Sequence, residues 1–241
     1  MPIQLQEIES MNQPTLVLVH GALTDASVWR RVSVRLQEAG YPVIAPSLPM
    51  RDFDGDVAYL KQFLGTLTGP LVVAAHSYAG SVISAPGALT EDVRSLVFVT
   101  AFQQDAGETA GALNGKFPGS LLVPENLVVR EYPGGAEIYL RPDKFGDVYA
   151  GDAGARDQKV LAAAQKPFDP ATLEGSFASA ASWHALPSWA VVSTQDKSIP
   201  TEAQRWMAER AGSTVVEVDS SHAVPLVHPD VVAEAILSAA G

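Results

Sequence analysis

The chain has 241 residues, 47% of them apolar, and no cysteine. That suffices for one large α/β domain with a sizeable core, and it excludes a disulfide framework, a thiolate zinc site and a cysteine nucleophile. A formal net charge of −11 and a pI near 4.8 argue against nucleic acid or an anionic membrane as partner.

No apolar run approaches the ~18 residues of a membrane span, and Met1 to Ser10 shows neither a basic nor an apolar signal region. A cytoplasmic protein is the expectation. The stretch Ile3 to Ile8 suits a short strand. Thr15-Leu16-Val17-Leu18-Val19 is a continuous β-branched and leucine run, as a strand buried on both faces requires. It ends at His20-Gly21-Ala22. Asp25 or Ser27 then caps a helix carrying Trp29, Val32, Leu36 and Ala39 on one face, with Gly40 as its stop. Pro42 to Ala45 reads as a second strand, and Phe53 to Leu67 as a helix closed by Gly69-Pro70. Leu71 to Ala74 is a third strand, Ser81 to Leu89 a helix limited by Pro86, and Ser95 to Val99 a fourth strand.

From Gln103 to Ala185 the alternation lapses. Leu127–Tyr132 and Ala136–Leu140 around Pro133-Gly134-Gly135 predict a hairpin, and Ala155 to Gln165 a helix. The many apolar anchors in this stretch predict a cap inserted into the main domain, so that 1–102 and 186–241 form the core and 103–185 the cap. Trp189 to Val192 and Thr214 to Val218 complete six strands. Thr201 and Gln204 have the spacing of a capping box for the helix between them, which Gly212 ends. Pro229 opens a final helix. Strands alternating with helices imply an α/β fold, a mainly parallel six-stranded sheet with helices on both faces.

Ligands of such sheets bind beyond the carboxyl ends of the strands. There the chain places Ala75-His76-Ser77-Tyr78-Ala79-Gly80, a serine between strand and helix with small residues around it, which suits a nucleophile elbow. Ala75 and Ala79 stand where the common pattern has glycine. Asp196 follows the fifth strand and His222 the sixth. A serine hydroxyl needs a base within hydrogen-bond reach, the role of His222, and a carboxylate, Asp196, to orient that base. The backbone N–H groups of Ala22 and Tyr78 are placed to form an oxyanion hole.

Simpler roles compete. Asp105 and Asp219 are rival acids, the second too close to His222 in sequence to reach its far nitrogen. His76 would point away from Ser77, His184 has no strand-end placement, and His228 would cap the final helix. No pair of histidines has metal-ligand spacing beside a carboxylate. No G-x-G-x-x-G follows a strand, and there is no P-loop.

With these residues placed, the chain resembles the α/β-hydrolase superfamily, most closely the branch of salicylate-binding methylesterases, hydroxynitrile lyases and related small bacterial esterases. The likeness rests on Leu18 to Ala22, the elbow, Phe98 to Phe102, Asp196 to Pro200 with Gln204-Arg205-Trp206, and His222. It implies the triad Ser77, Asp196 and His222, a mixed cap and no cofactor. It also implies hydrolysis of a small, uncharged carboxylic ester through an acyl-enzyme. The lyases of this branch carry threonine and lysine where this chain has Gly21 and Ala223, so the esterase expectation leads. A C–C lyase and a slow-turnover ligand-binding module remain as alternatives. His20, Gly21, Phe102, Trp183 and Leu226 are candidate pocket residues. Expected partners are a small ester and, at most, a second copy of the chain.

Overall fold

The protein is described from a computed structural model covering residues 13–241. The strand expected from Ile3 to Ile8 lies outside the described residues. The strands are β1 (Thr15–Val19), β2 (Val43–Ile44), β3 (Leu71–His76), β4 (Val93–Val99), β5 (Leu127–Tyr132), β6 (Gly135–Leu140), β7 (Ser188–Ser193) and β8 (Thr214–Val218). Six of them make one all-parallel sheet in the order β2-β1-β3-β4-β7-β8, while β5 and β6 pair as a separate antiparallel hairpin.

The helices are α1 (Arg30–Glu38), α2 (Phe53–Leu64), α3 (Ala79–Ser84), α4 (Ala110–Asn114), α5 (Phe145–Tyr149), α6 (Ala155–Ala163), α7 (Ala171–Glu174), α8 (Thr201–Ala211), α9 (Val224–Val227) and α10 (Pro229–Ala240).

The central strands read as unbroken apolar runs because successive side chains enter opposite cores. Val17, Val73, Ala75, Leu96 and Phe98 join Leu60 and Leu64 of α2 and Val82 and Ile83 of α3 on one face. Leu16, Leu18, Val72, Ala74 and Val97 meet Val32 and Leu36 of α1 and Val232 and Ile236 of α10 on the other.

Helix ends follow local chemistry. Asp25 accepts from the Ser27 N–H at 2.9 Å and opens a 3₁₀ turn leading into α1. Asp52 caps α2 through the Gly55 N–H at 2.7 Å. α3 starts at Ala79 and stops at Ser84, earlier than the sequence predicts, because Ala85 before Pro86 is driven to extended backbone. α2 stops at Leu64 rather than Leu67. α6 stops at Ala163: Gln165 turns back and exchanges hydrogen bonds with the Leu140 N–H and C=O, 2.9 Å each, tying the helix to the hairpin. Gly212, with φ of 65°, ends α8 as expected.

The chain adds β2 on one side of β1 and β3 on the other, so the crevice between β1 and β3 is the point where strand order reverses. Ala22 and Ser77 flank it. Between β4 and β7, which are neighbours in the sheet, the chain departs for the hairpin and α4 to α7. Leu140, Phe145, Tyr149, Phe168 and Trp183 of this segment pack into the same core as β3 and β4. Among the described residues no helix is long and apolar enough to cross a membrane.

Candidate active site

Ser77 sits at the end of β3 with φ of +56°, a left-handed conformation that costs a non-glycine residue about 1–3 kcal/mol. Its surroundings hold it there. Its N–H donates to Val99 O at 3.3 Å, and its C=O accepts from the N–H groups of Gly80 (3.0 Å) and Phe102 (3.2 Å). The need for small neighbours is literal at two glycines. A Cβ on Gly21 would lie 2.5 Å from Ser77 Cβ, and one on Gly80 would lie 2.2 Å from Phe102 O. Ala75 and Ala79 are fully buried, so the packed elbow accommodates alanine where the common pattern has glycine. Leu23, Met50 and Thr100, the other non-glycine residues with positive φ among those described, follow β1, β2 and β4.

The loop after β8 brings His222 Nε2 within 2.8 Å of Ser77 Oγ, and His222 Nδ1 lies 2.7 Å from Asp196 Oδ2. A buried carboxylate accepts at Nδ1, so the proton belongs there and the Nε2 lone pair faces the serine. Asp196 is itself held by the N–H groups of Ser198 (2.6 Å) and Ile199 (3.0 Å) on Oδ1 and by Gln204 Nε2 (2.8 Å) on Oδ2.

This last contact corrects the capping-box reading. Gln204 faces Asp196, and its Oε1 accepts from the Ser193 N–H at 3.1 Å, while the Thr201 hydroxyl donates to Ser193 O. The N-cap position of α8 is Pro200, with no side-chain cap. Two buried partners outcompeted a solvent-facing cap.

His222 is also walled in. His76 does not simply point away: its ring lies 4.7 Å from that of His222, and its Nε2 donates to His222 O at 2.9 Å. Burial first, and then the neighbouring His222, hold its pKa well below the histidine norm, so His76 is neutral. Tyr149 of α5 meets the His222 ring edge-on at 4.8 Å. Asp152 accepts from Ser220 Oγ (2.9 Å), the Ser221 N–H (3.0 Å) and Ser221 Oγ, clamping the loop that carries His222.

The rival acids go elsewhere. Asp105 bonds His184 at 3.0 Å, and Asp219 accepts from Thr194. His228 occupies the N-cap position of α10 but makes no cap hydrogen bond; its ring lies 3.7 Å from Asp152. Among the described residues no three His, Asp or Glu side chains converge as metal ligands would.

Ser77 and His222 open onto a cavity of about 200 Å³, together with Ala22 and Tyr78. The N–H groups of Ala22 and Tyr78 donate to no protein group among the described residues, as oxyanion donors must be free to do. Of the candidate pocket residues, Phe102 lines the cavity and four do not. His20 is structural: its Nε2 accepts from the Leu48 N–H at 3.1 Å and its Nδ1 donates to Gly21 O. Burial lowers its pKa to about 4, so it too is neutral. Gly21 is spent on the close approach to Ser77. Trp183 is buried in the core, its indole N–H donating to Gln104 O at 3.0 Å. Leu226 belongs to the core on the other side of the sheet. The large apolar residues were drawn into packing, and Leu122, Ile138, Phe168, Leu173 and Ile199 line the cavity instead.

A model of the alpha/beta hydrolase family matches residues 16–235. The chain belongs to the alpha/beta hydrolase family. The hydrolase is 27% identical to Esterase PIR7B of Oryza sativa subsp. japonica, over 90% of this chain and 92% of that one. It is 25% identical to Methylesterase 1 of Arabidopsis thaliana with the same coverage. A crystal structure of polyneuridine aldehyde esterase, 20% identical, superposes with a TM-score of 0.78 over 94% of this chain and 98% of that one, a likeness of fold.

One further contact supports the elbow of this hydrolase. The Tyr78 hydroxyl donates to Asp56 Oδ2 at 2.9 Å, and Asp56 Oδ1 accepts from the Met50 N–H at 2.9 Å. Both side chains are fully buried. Burial raises the Asp56 pKa to about 6, the two hydrogen bonds opposing only part of that shift. Asp52 nearby raises it further and Lys166 lowers it.

A carboxyl whose folded pKa is raised favours the folded state most when protonated. Its contribution is full below about pH 3.8 and is lost as pH rises through about 6. The difference in unfolding free energy between wild type and Asp56→Asn should therefore shift by about 2 kcal/mol toward the wild type from pH 7 to pH 4. Urea titrations of both proteins at the two pH values measure it, and a constant difference refutes it.

Proposed function

We propose that the protein hydrolyses a carboxylic ester of a small, uncharged substrate, with Ser77 as nucleophile, His222 as base and Asp196 as orienting acid. As a carboxylesterase-type hydrolase it needs an activated serine. The observation that carries the reading is the continuous set of hydrogen bonds from Asp196 through His222 to a strained, cavity-facing Ser77.

In this scheme Ser77 Oγ attacks the ester carbonyl as His222 Nε2 takes its proton. The tetrahedral oxyanion is met by the Ala22 and Tyr78 N–H groups. Collapse breaks the bond to the alcohol, which leaves with the proton from His222. Water, deprotonated by the same nitrogen, then attacks the acyl-enzyme, and the acid departs. Residues 103–185 act as the cap. None of the residues lining the cavity is Asp, Glu, Lys or Arg, so a charged substrate would be desolvated without a partner.

The test is intact mass after exposure to a small fluorophosphonate. One adduct on the wild type, and none on Ser77→Ala, is expected. A folded wild type that takes no adduct, and releases no acid from an ester panel, would refute the proposal in favour of a binding module.

A further inference from the structure

The cavity beside Ser77 holds about 200 Å³, below the roughly 300–1,000 Å³ of pockets that enclose a drug-sized ligand. It therefore takes one arm of a small ester, not the whole of a large one. Most polar side chains on its wall are turned to partners inside the protein. The Tyr78 hydroxyl donates to Asp56, the Ser198 hydroxyl donates to Val148 O at 3.0 Å, and the Tyr149 hydroxyl pairs with Thr24 at 3.2 Å. Beyond Ser77 and His222, what the cavity presents to a ligand is mainly hydrocarbon.

Part of that hydrocarbon comes from the hairpin. Leu127 of β5 stands directly opposite Leu140 of β6. Ile138 lies two residues before Leu140 and so shares its face of the strand. Leu140 is fully buried in the core, which makes this the inward face, and both Leu127 and Ile138 line the cavity. Phe168 lines it too. The Ile138 N–H donates to Phe168 O at 2.8 Å, and the Phe168 N–H donates back to Ile138 O at 3.4 Å.

This wall is pinned to its surroundings. The Asp169 N–H donates to Met50 O at 2.9 Å, fixing the Phe168 segment to the core. Gln165 holds the Leu140 N–H and C=O. Arg51, next to Met50, pairs with Glu137 at 2.7 Å and lies over the Tyr132 ring at 4.6 Å. A chain too long for the cavity cannot push the hairpin aside without breaking these contacts.

We propose that the pinned hairpin sets an upper limit on substrate length, with Leu127 and Ile138 as specificity-determining residues, and that the substrate is an ester with one hydrocarbon arm of limited length. The proposal rests on the reading of Ser77 as an ester-cleaving nucleophile and adds which esters it selects.

The experiment uses two series: 4-nitrophenyl esters of straight-chain acids from two to ten carbons, and acetates of straight-chain alcohols over the same range. In one series kcat/KM should rise about three- to fourfold per added methylene, the value of burying it. Past the limit it should fall about tenfold within one or two further carbons. The series that shows the maximum identifies which arm, acyl or alcohol, enters the cavity. Ile138→Ala should move the maximum to longer chains and Ile138→Phe to shorter ones, opposite shifts that a general loss of stability would not produce. Leu127→Ala takes the place of Ile138→Ala if that variant does not fold.

A wild type with no maximum in either series, or a maximum that stays in place in the folded variants, overturns the assignment of the hairpin while leaving the esterase reading intact. A folded wild type that cleaves none of these esters and takes no fluorophosphonate overturns both.

Discussion

Ser77→Ala and His222→Ala should each lower kcat for ester hydrolysis by at least about 10³-fold, and the double variant should be little worse than either single one. The reason is that neither group acts without the other: the serine is a weak nucleophile until Nε2 takes its proton, and that nitrogen lies 2.8 Å away with its ring fixed from three sides. Asp196→Asn should cost a comparable factor for a different reason. An amide nitrogen facing His222 Nδ1 would favour the tautomer whose proton points at the serine. Steady-state kinetics on variants with unchanged circular dichroism measure these effects. Retention of more than a tenth of wild-type kcat in the serine and histidine variants would remove both from the mechanism.

The second large effect is on stability. In Gly80→Ala the new Cβ would stand 2.2 Å from Phe102 O, 3.0 Å from Phe102 N and 2.9 Å from Ala101 Cβ. Two of those atoms are backbone and cannot rotate aside. The loop after β4 would have to move, breaking the Phe102 N–H bond to Ser77 O that supports the strained elbow. A loss of about 3 kcal/mol or more is expected, the upper end of overpacking costs. Gly154→Ala is the control. It has φ of −60° and nothing within 4 Å of its added Cβ, so it should stay within about 0.5 kcal/mol of wild type. Denaturant unfolding of the two variants decides the matter, and equal stabilities would mean that the elbow is not tightly packed.

What could be read from the sequence was whatever depends on one segment at a time. The central strands are legible because burial on both faces leaves an uninterrupted apolar signature, as in Leu71 to Ala74. The strand ends then locate Ser77, Asp196 and His222, since a parallel sheet gathers those ends along one edge.

What escaped reading depends on which segments meet. Thr201 and Gln204 form a correct local pattern, but Asp196 and Ser193 offered Gln204 buried partners that no local pattern reveals. The coupling of Tyr78 to Asp56 joins the elbow turn to a residue of α2 and carries no motif. Trp183 and Leu226 were plausible pocket residues by size alone, and size is equally what packing recruits. Three of the helices between β4 and β7, α4, α5 and α7, are too short at four or five residues to show a sustained period, whereas the nine-residue α6 was legible.

The separation of β4 from β7 has a consequence for how the molecule comes into being. Ser77 and His222 are 145 residues apart, presented by β3 and β8, which share a sheet because β4 and β7 pair in parallel across a long excursion of chain. Closing such loops costs entropy before any contact repays it, which makes this topology slow to fold. During translation the elbow emerges well before Asp196 and His222, its proposed acid and base. A ribosome-bound fragment ending before β8 has Ser77 without the base proposed to activate it. On the proposed mechanism, competence therefore waits for the segment that follows β8, and its recovery after denaturation marks the docking of β7 and β8.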